Sequence, residues 1–166
     1  DYLVDFAKEH QLVWYQDESN NVVIVKEATP GYESAEPIII QGHMDMVCEK
    51  EKGVTIDFEK DGLKLYVDGD FLKAEGTTLG GDDGIAVAYA LALLESSEIA
   101  HPKLEVVITV DEEIGMLGAD AIDLSMLTGH TMLNIDSDVE GSFLTGCAGG
   151  MAVNVTLPVK RVTQHG

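Results

Sequence analysis

Basic side chains are scarce in this chain. Ten lysines and arginines face thirty aspartates and glutamates over 166 residues, a formal net charge of −20. A nucleic-acid partner requires a basic surface, so that class is excluded. An anionic membrane surface is excluded on the same ground. Long apolar runs are missing too: none approaches the ~20 residues of a helical membrane span. The only cysteines are Cys48 and Cys147, far apart and outside any C-x-x-C spacing. They make no disulfide scaffold. With no secretory signal in view, a reducing cytoplasm is the expected setting. Internal repeats and low-complexity tracts are absent. The chain starts at Asp1 without an initiator methionine and reads as a piece trimmed from a longer polypeptide.

What is present is the material for a core. Hydrophobic residues make up 45% of the chain, too many for a disordered segment. The length suits one domain. Tyr2, Leu3, Phe6 and Ala7 have helical spacing, and that helix ends near Lys8-Glu9-His10. Val22 to Val25 reads as a strand after the turn Ser19-Asn20-Asn21. Ile38 to Gln41 is apolar without alternation, as in a strand covered on both faces. Leu63, Leu65 and Val67 alternate with polar or amphipathic neighbours, then Asp68-Gly69-Asp70 turns into Phe71 to Ala74, a hairpin. Ile85 to Leu94 is apolar nearly all round and predicts a buried helix. Leu104 to Val110 and Thr131 to Ile135 predict strands. Gly115 to Asp123 predicts a short helix with Ala119, Ala121 and Ile122 inward. Met151, Val153, Val155 and Leu157 alternate and predict one more strand after the small-residue turn Gly146-Cys147-Ala148-Gly149-Gly150. The alternation of helices and strands implies an α/β fold, a mostly parallel or mixed sheet flanked by helices.

Polar chemistry sits where these elements end. Ile38 to Gln41 leads through Gly42 into His43-Met44-Asp45. In an extended chain residues i and i+2 project to the same side, so His43 and Asp45 point together. Taken alone, a polar turn closing a core strand is the better reading. The pattern recurs, however. Asp111-Glu112-Glu113 follows the strand from Leu104; Asp136 and Asp138 follow the strand from Thr131; Gly80-Gly81-Asp82-Asp83-Gly84 opens the helix. Carboxylates gathered this way repel one another unless something offsets their charge, and a pair of divalent cations is the simplest agent. A phosphate loop at Gly80-Gly81 is disfavoured, because acids follow and no Lys-Ser/Thr does.

The donor set is one imidazole nitrogen and several carboxylate oxygens. It suits zinc, with Mn²⁺ or Co²⁺ as substitutes. Asp82, at the tip of its glycine loop, is best placed to bridge two cations, and Asp136 offers a terminal ligand. Of Glu112 and Glu113, one can bind metal while the other stays free as a base. Two cations activating a water beside a free glutamate lead to hydrolysis of an amide.

His43-Met44-Asp45, the loop Gly76-Thr77-Thr78-Leu79-Gly80-Gly81-Asp82-Asp83-Gly84, Asp111-Glu112-Glu113-Ile114-Gly115 and Asn134-Ile135-Asp136-Ser137-Asp138 together resemble the co-catalytic zinc peptidases of the M20 clan. Order and separations match, over nearly the whole chain. Gly84, where tripeptidase relatives usually carry lysine, and the Gly146 to Gly150 segment resemble the branch of bacterial Xaa-His dipeptidases. The resemblance implies that His43 binds one zinc, with Asp45 as its orienting partner. It implies that Asp82 bridges two Zn²⁺, that Asp136 completes the first site, and that Glu113 binds the second. Glu112 would be the general base, and the Asp82–Asp83 peptide would be cis. The expected substrate is a small peptide, a dipeptide of the Xaa-His type. The sister activities are those of a tripeptidase or an N-acyl amino-acid deacylase, and a metal-binding module of the same fold without catalysis is the other alternative.

Family members are longer. Residues 1–166 would be the N-terminal portion of a single catalytic domain, without the lid or dimerisation domain and without the returning segment that supplies the second zinc's histidine. The longer protein would then be a candidate homodimer. Nothing gives His165 that ligand's role. His10, His101 and His130 read as ordinary surface or loop histidines.

Overall fold

The computed structural model describes residues 2–137, 139–146, 149, 151 and 153–160. The elements run α1 (Tyr2–Glu9), β1 (Val13–Gln16), β2 (Val22–Lys26), β3 (Ile38–His43), β4 (Leu65–Asp68), β5 (Phe71–Ala74), α2 (Gly81–Glu95), β6 (Leu104–Thr109), α3 (Leu117–Ala121) and β7 (Thr131–Asn134). Five strands form one mixed sheet in the order β1-β2-β6-β3-β7. β1 and β2 are antiparallel to their neighbours, whereas β3 runs parallel to both β6 and β7. β4 and β5 form the separate hairpin that the Asp68-Gly69 turn predicts.

Side-chain alternation divides the core between the two faces of the sheet. Val22 and Ile24, Ile40, and Val106 and Ile108 point to one face, where Leu3, Val4 and Ala7 of α1 and Ala90 and Leu94 of α2 cover them. Val23, Val25, Ile39 and Val107 point to the other. The segment after α3, through Ile122, Met126 and Leu127, covers that second face. Ile24 and Ile108 are among the largest fully buried side chains, each contributing roughly 1.5–3 kcal/mol by leaving water.

Three sequence expectations need correction, and one strand was missed. β1 was not anticipated, although Leu12 to Tyr15 is an apolar run; its first two residues, Val13 and Trp14, are exposed. α2 is not buried all round. Ala86, Ala90 and Leu94 face the sheet, while Ile85 and Tyr89 are half exposed. An all-apolar sequence has no periodicity from which to read the inward face. In α3 it is Gly118 that presses inward, and Ala119 and Ala121 are exposed. The alternating segment through Met151, Val153, Val155 and Leu157 forms no strand; these side chains are exposed and no described strand lies beside them to complete their backbone hydrogen bonds. His101 lies in a loop, one of the two settings expected for it, and is buried there, with Nδ1 2.7 Å from the Pro102 carbonyl. Asp138, Cys147, Ala148, Gly150, Ala152 and His165 lie outside the described residues.

The apolar run of β6 also carries a carboxylate. Glu105 is fully buried on the second face. It accepts hydrogen bonds from the backbone N–H groups of Thr128 and Gly129 and from the Thr128 hydroxyl, and pairs with Lys103 Nζ at 2.8 Å. Burial favours its neutral form, but Lys103, Thr128 and Gly129 outweigh that and hold its pKa down to about 2. Thr128 and Gly129 lead into β7, so this carboxylate ties the edge strand to the sheet centre. Glu105→Ala is expected to cost on the order of 3 kcal/mol, because several donors lose their acceptor at once. A pKa lower in the folded than in the unfolded state gives stability above the ordinary glutamate range. That stability is lost as pH falls toward about 2. Denaturant titrations from neutral pH downward should show this acid limb in the native protein and a flatter one in Glu105→Gln.

Candidate metal centre

β3, β6 and β7 are parallel, so their C-terminal ends share one edge of the sheet. His43 is the last residue of β3 and lies opposite Thr109, the last of β6. Asp111, Glu112 and Glu113 follow β6, and Asp136 follows β7. Asp82 and Asp83 open α2, which packs back against β3. Open α/β sheets place ligands at this edge.

His43 is the hub. Its ring is buried, with Nδ1 3.0 Å from the Asp45 carbonyl oxygen and 3.3 Å from Asp45 Oδ1. Both neighbours only accept, so Nδ1 carries a proton. Nε2 faces further acceptors: Asp82 Oδ1 at 2.9 Å and Glu112 Oε2 at 3.9 Å. Burial alone would lower the His43 pKa. The hydrogen bond to Asp82 and the charges of Asp45, Asp136 and Asp83 outweigh it, and the pKa is raised. The surroundings thus favour a positive charge at Nε2, which a cation would supply as well as a proton does.

The acids divide by environment. Asp45 is buried enough to favour its neutral form, yet the backbone N–H groups of Glu113, Glu112 and Asp45 itself, with His43, lower its pKa. Its Oδ2 accepts from Glu113 N at 3.1 Å, so the residue that orients His43 also steadies the next loop. Burial raises the pKa of Glu112, with Asp136, Glu113 and Asp45 adding to the rise against His43. Asp83 is almost fully buried, and that burial, with the charge of Asp136, pushes its carboxyl up to about 6 despite hydrogen bonds from His43 and Ala86. Asp83 Oδ1 is buried with no hydrogen-bond partner among the described residues.

Ligand atoms of His43, Asp82 and Glu113 lie within 4.8 Å of one another, and so do those of His43, Asp83 and Asp136. The sequence-predicted ligands His43, Asp82, Glu113 and Asp136 therefore fall into two overlapping groups that share the imidazole. Asp45 and Glu112 sit directly beside them. Asp83 was not among the predicted residues. Its adjacency to Asp82 was the available signal, and its burial could not be read from the chain. The Asp82–Asp83 peptide is cis. The nitrogen-and-carboxylate donor set and the orphaned Asp83 oxygen fit a divalent cation. Clefts of about 320 and 250 Å³ open on either side of Asp82, one reaching Asp136 and the other Glu113. A roomier cleft of about 500 Å³ beside the β4–β5 hairpin holds none of these acids.

The model of the peptidase family M20/M25/M40 matches residues 39–153. The cytosol non-specific dipeptidase of Escherichia coli strain K12 is 41% identical over 161 residues, which is 97% of this chain and 33% of that protein. The crystal structure of aminoacylhistidine dipeptidase from Vibrio alginolyticus superposes with a TM-score of 0.81 at 44% identity, covering 84% of this chain and 29% of that one. A tripeptidase from Staphylococcus aureus shares the fold, with a TM-score of 0.68 at 24% identity over 83% of this chain and 37% of that one. The chain thus spans about a third of the length of these relatives. No helix among the described residues is long and apolar enough to cross a membrane.

Strand β3 and helix α2 come close together at Gly42. A Cβ there would lie 2.5 Å from Ala86 Cβ and 2.6 Å from Asp83 Oδ2. Gly42→Ala must push α2 and Asp83 away from β3. A loss of about 1–3 kcal/mol in unfolding free energy is expected, and affinity for a divalent cation, measured by calorimetry with Zn²⁺ as the probe, should be weaker in this variant than in the native protein.

Proposed function

The chain belongs to the peptidase family M20/M25/M40, and from that premise we propose that residues 1–166 supply the metal-binding portion of a di-zinc dipeptidase. His43, Asp82 and Asp136 would hold one Zn²⁺, and Asp82 and Glu113 the other, with Mn²⁺ or Co²⁺ as substitutes. The observation that carries the reading is the convergence of His43, Asp82 and Glu113 with Glu112 beside them. Divalent cations held there would supply Lewis-acid polarisation of the scissile carbonyl and make a nearby water more acidic.

The chain's own residues account for the rest. Asp45 keeps the proton on Nδ1 of His43 and so leaves Nε2 as the ligand atom. Glu112 takes the water's proton and delivers it to the leaving amine. Its raised pKa suits that exchange, since a base works best when its pKa approaches the operating pH. The substrate class is a dipeptide, with Xaa-His peptides among those cleaved. Both relatives named as dipeptidases support that class, and the name of the Escherichia coli relative supports a cytoplasmic setting.

Glu112→Gln in the full-length protein should keep its zinc and lose about 10²–10⁴ in kcat on dipeptides. Metal content by mass spectrometry is measured beside turnover. Loss of zinc together with activity would make Glu112 a ligand and reverse its assignment with Glu113.

A further inference from the structure

The loop that carries Glu112 and Glu113 is tightly wound. Asp111, Gly115 and Met116 all have positive φ, at 55°, 114° and 57°. Within the loop, Glu112 O accepts from Gly115 N and Met116 N, both at 3.0 Å, and Asp111 O accepts from Leu117 N at 3.1 Å. These bonds give the loop its shape but do not attach it to the sheet.

The attachment comes from Asn21, at the turn before β2. Its side chain is buried at 1% exposure, where an unsatisfied amide would be costly. Asn21 Oδ1 accepts from Val110 N at 3.0 Å, at the loop's entry. Asn21 Nδ2 donates to Gly118 O at 2.9 Å, at its exit. The other Nδ2 hydrogen goes to Asp17 Oδ2 at 2.7 Å, which sets which way the amide faces. Asp17 Oδ1 in turn accepts from Asn21 N at 2.9 Å, closing the turn on itself. The fit leaves no slack: a Cβ on Gly118 would stand 2.1 Å from Val110 O and 2.6 Å from Asn21 Oδ1. One amide therefore grips both ends of the segment that presents the two glutamates, while Asp45 holds its middle through Glu113 N.

We propose that Asn21 is a positioning residue of the metal centre, setting where Glu112 and Glu113 stand relative to His43 by clasping residues 110 and 118, with Asp17 orienting its amide. The hydrogen bonds of Asn21 go to Val110, Gly118 and Asp17, none of them a candidate ligand, so it acts through the loop. The proposal rests on the function given above for Glu112 and Glu113.

The test compares Asn21→Ala and Asn21→Leu with Ile24→Val in the full-length protein. Ile24 is fully buried in β2, stands opposite Val106 rather than Val110, and belongs to the core on the α1 and α2 face. Zn²⁺ is titrated into metal-stripped protein by calorimetry, hydrogen exchange is followed across residues 110–118, and kcat, KM and Tm are measured. The Asn21 variants should weaken zinc binding about 10–100-fold, speed exchange in 110–118, and lower kcat more than they change KM. Ile24→Val should lower Tm and leave the other readouts near the native values. Zinc affinity and loop exchange that follow Tm equally in all variants, or that do not change in the Asn21 variants, would overturn the proposal. If the Asn21 variants do not fold, Asp17→Ala is read in the same way and should shift the same quantities in the same direction by less. A native protein that binds zinc but cleaves no dipeptide would sink the proposed function, while the exchange data would still decide the clasp.

Discussion

β3 lies between β6 and β7 with His43 opposite Thr109 and Gln41 opposite Asn134. Every feature of the metal centre depends on that parallel register. The side-chain period of a strand is two, so a slip of one residue would send His43 to the opposite face. It would also turn Gly42, the one residue small enough to meet Ala86, away from α2. Register is itself fixed by burial: Ile40, Val106 and Ile108 must meet α1 and α2, while Ile39 and Val107 must meet the segment after α3. The hydrophobic core and the site are two consequences of one alignment.

Much of this alignment can be read from the chain because the signals are local. The runs at Ile38 and Leu104 are strands, and the acids after them stand at strand ends whichever neighbours those strands take. The features that escaped the sequence depend on partners far away. Glu105 looks like a defect in an apolar run until Thr128 and Gly129 are seen to wrap its carboxylate. Asn21 looks like a turn residue until its amide meets residues 89 and 97 positions along. The strand expected at Met151 to Leu157 fails for the converse reason: alternation describes a surface that a strand would present, and pairing decides whether the strand exists.

The electrostatics of the centre follow from concentrating acids around one imidazole. Asp83 and Glu112 are both driven toward their neutral forms by burial first and by neighbouring carboxylates second, while His43 is driven toward its charged form, against burial, by Asp82, Asp45, Asp136 and Asp83. These shifts share a sign in what they ask for, since each is relieved by added positive charge. A divalent cation meets that demand without the proton's drawback of neutralising the ligands it depends on. The acidic cluster and a cation would therefore explain each other: without one Asp83 and Glu112 are pushed toward their neutral forms, and without the carboxylates a cation would have no reason to bind.

That mutual dependence leaves a question of order, which the backbone bonds address. Glu113 N is held by Asp45, His43 N by Asp83, and Val110 N by Asn21. In each, a main-chain N–H donates to a side chain on another element, and of the three acceptors only Asp83 also belongs to a candidate metal group. The backbone beside the candidate site is thus fixed by ordinary hydrogen bonds. A site assembled this way loses little conformational freedom on binding, because the backbone has already been ordered by folding. Repulsion among the acids is therefore carried by the stability of the sheet and its clasps rather than by the metal alone.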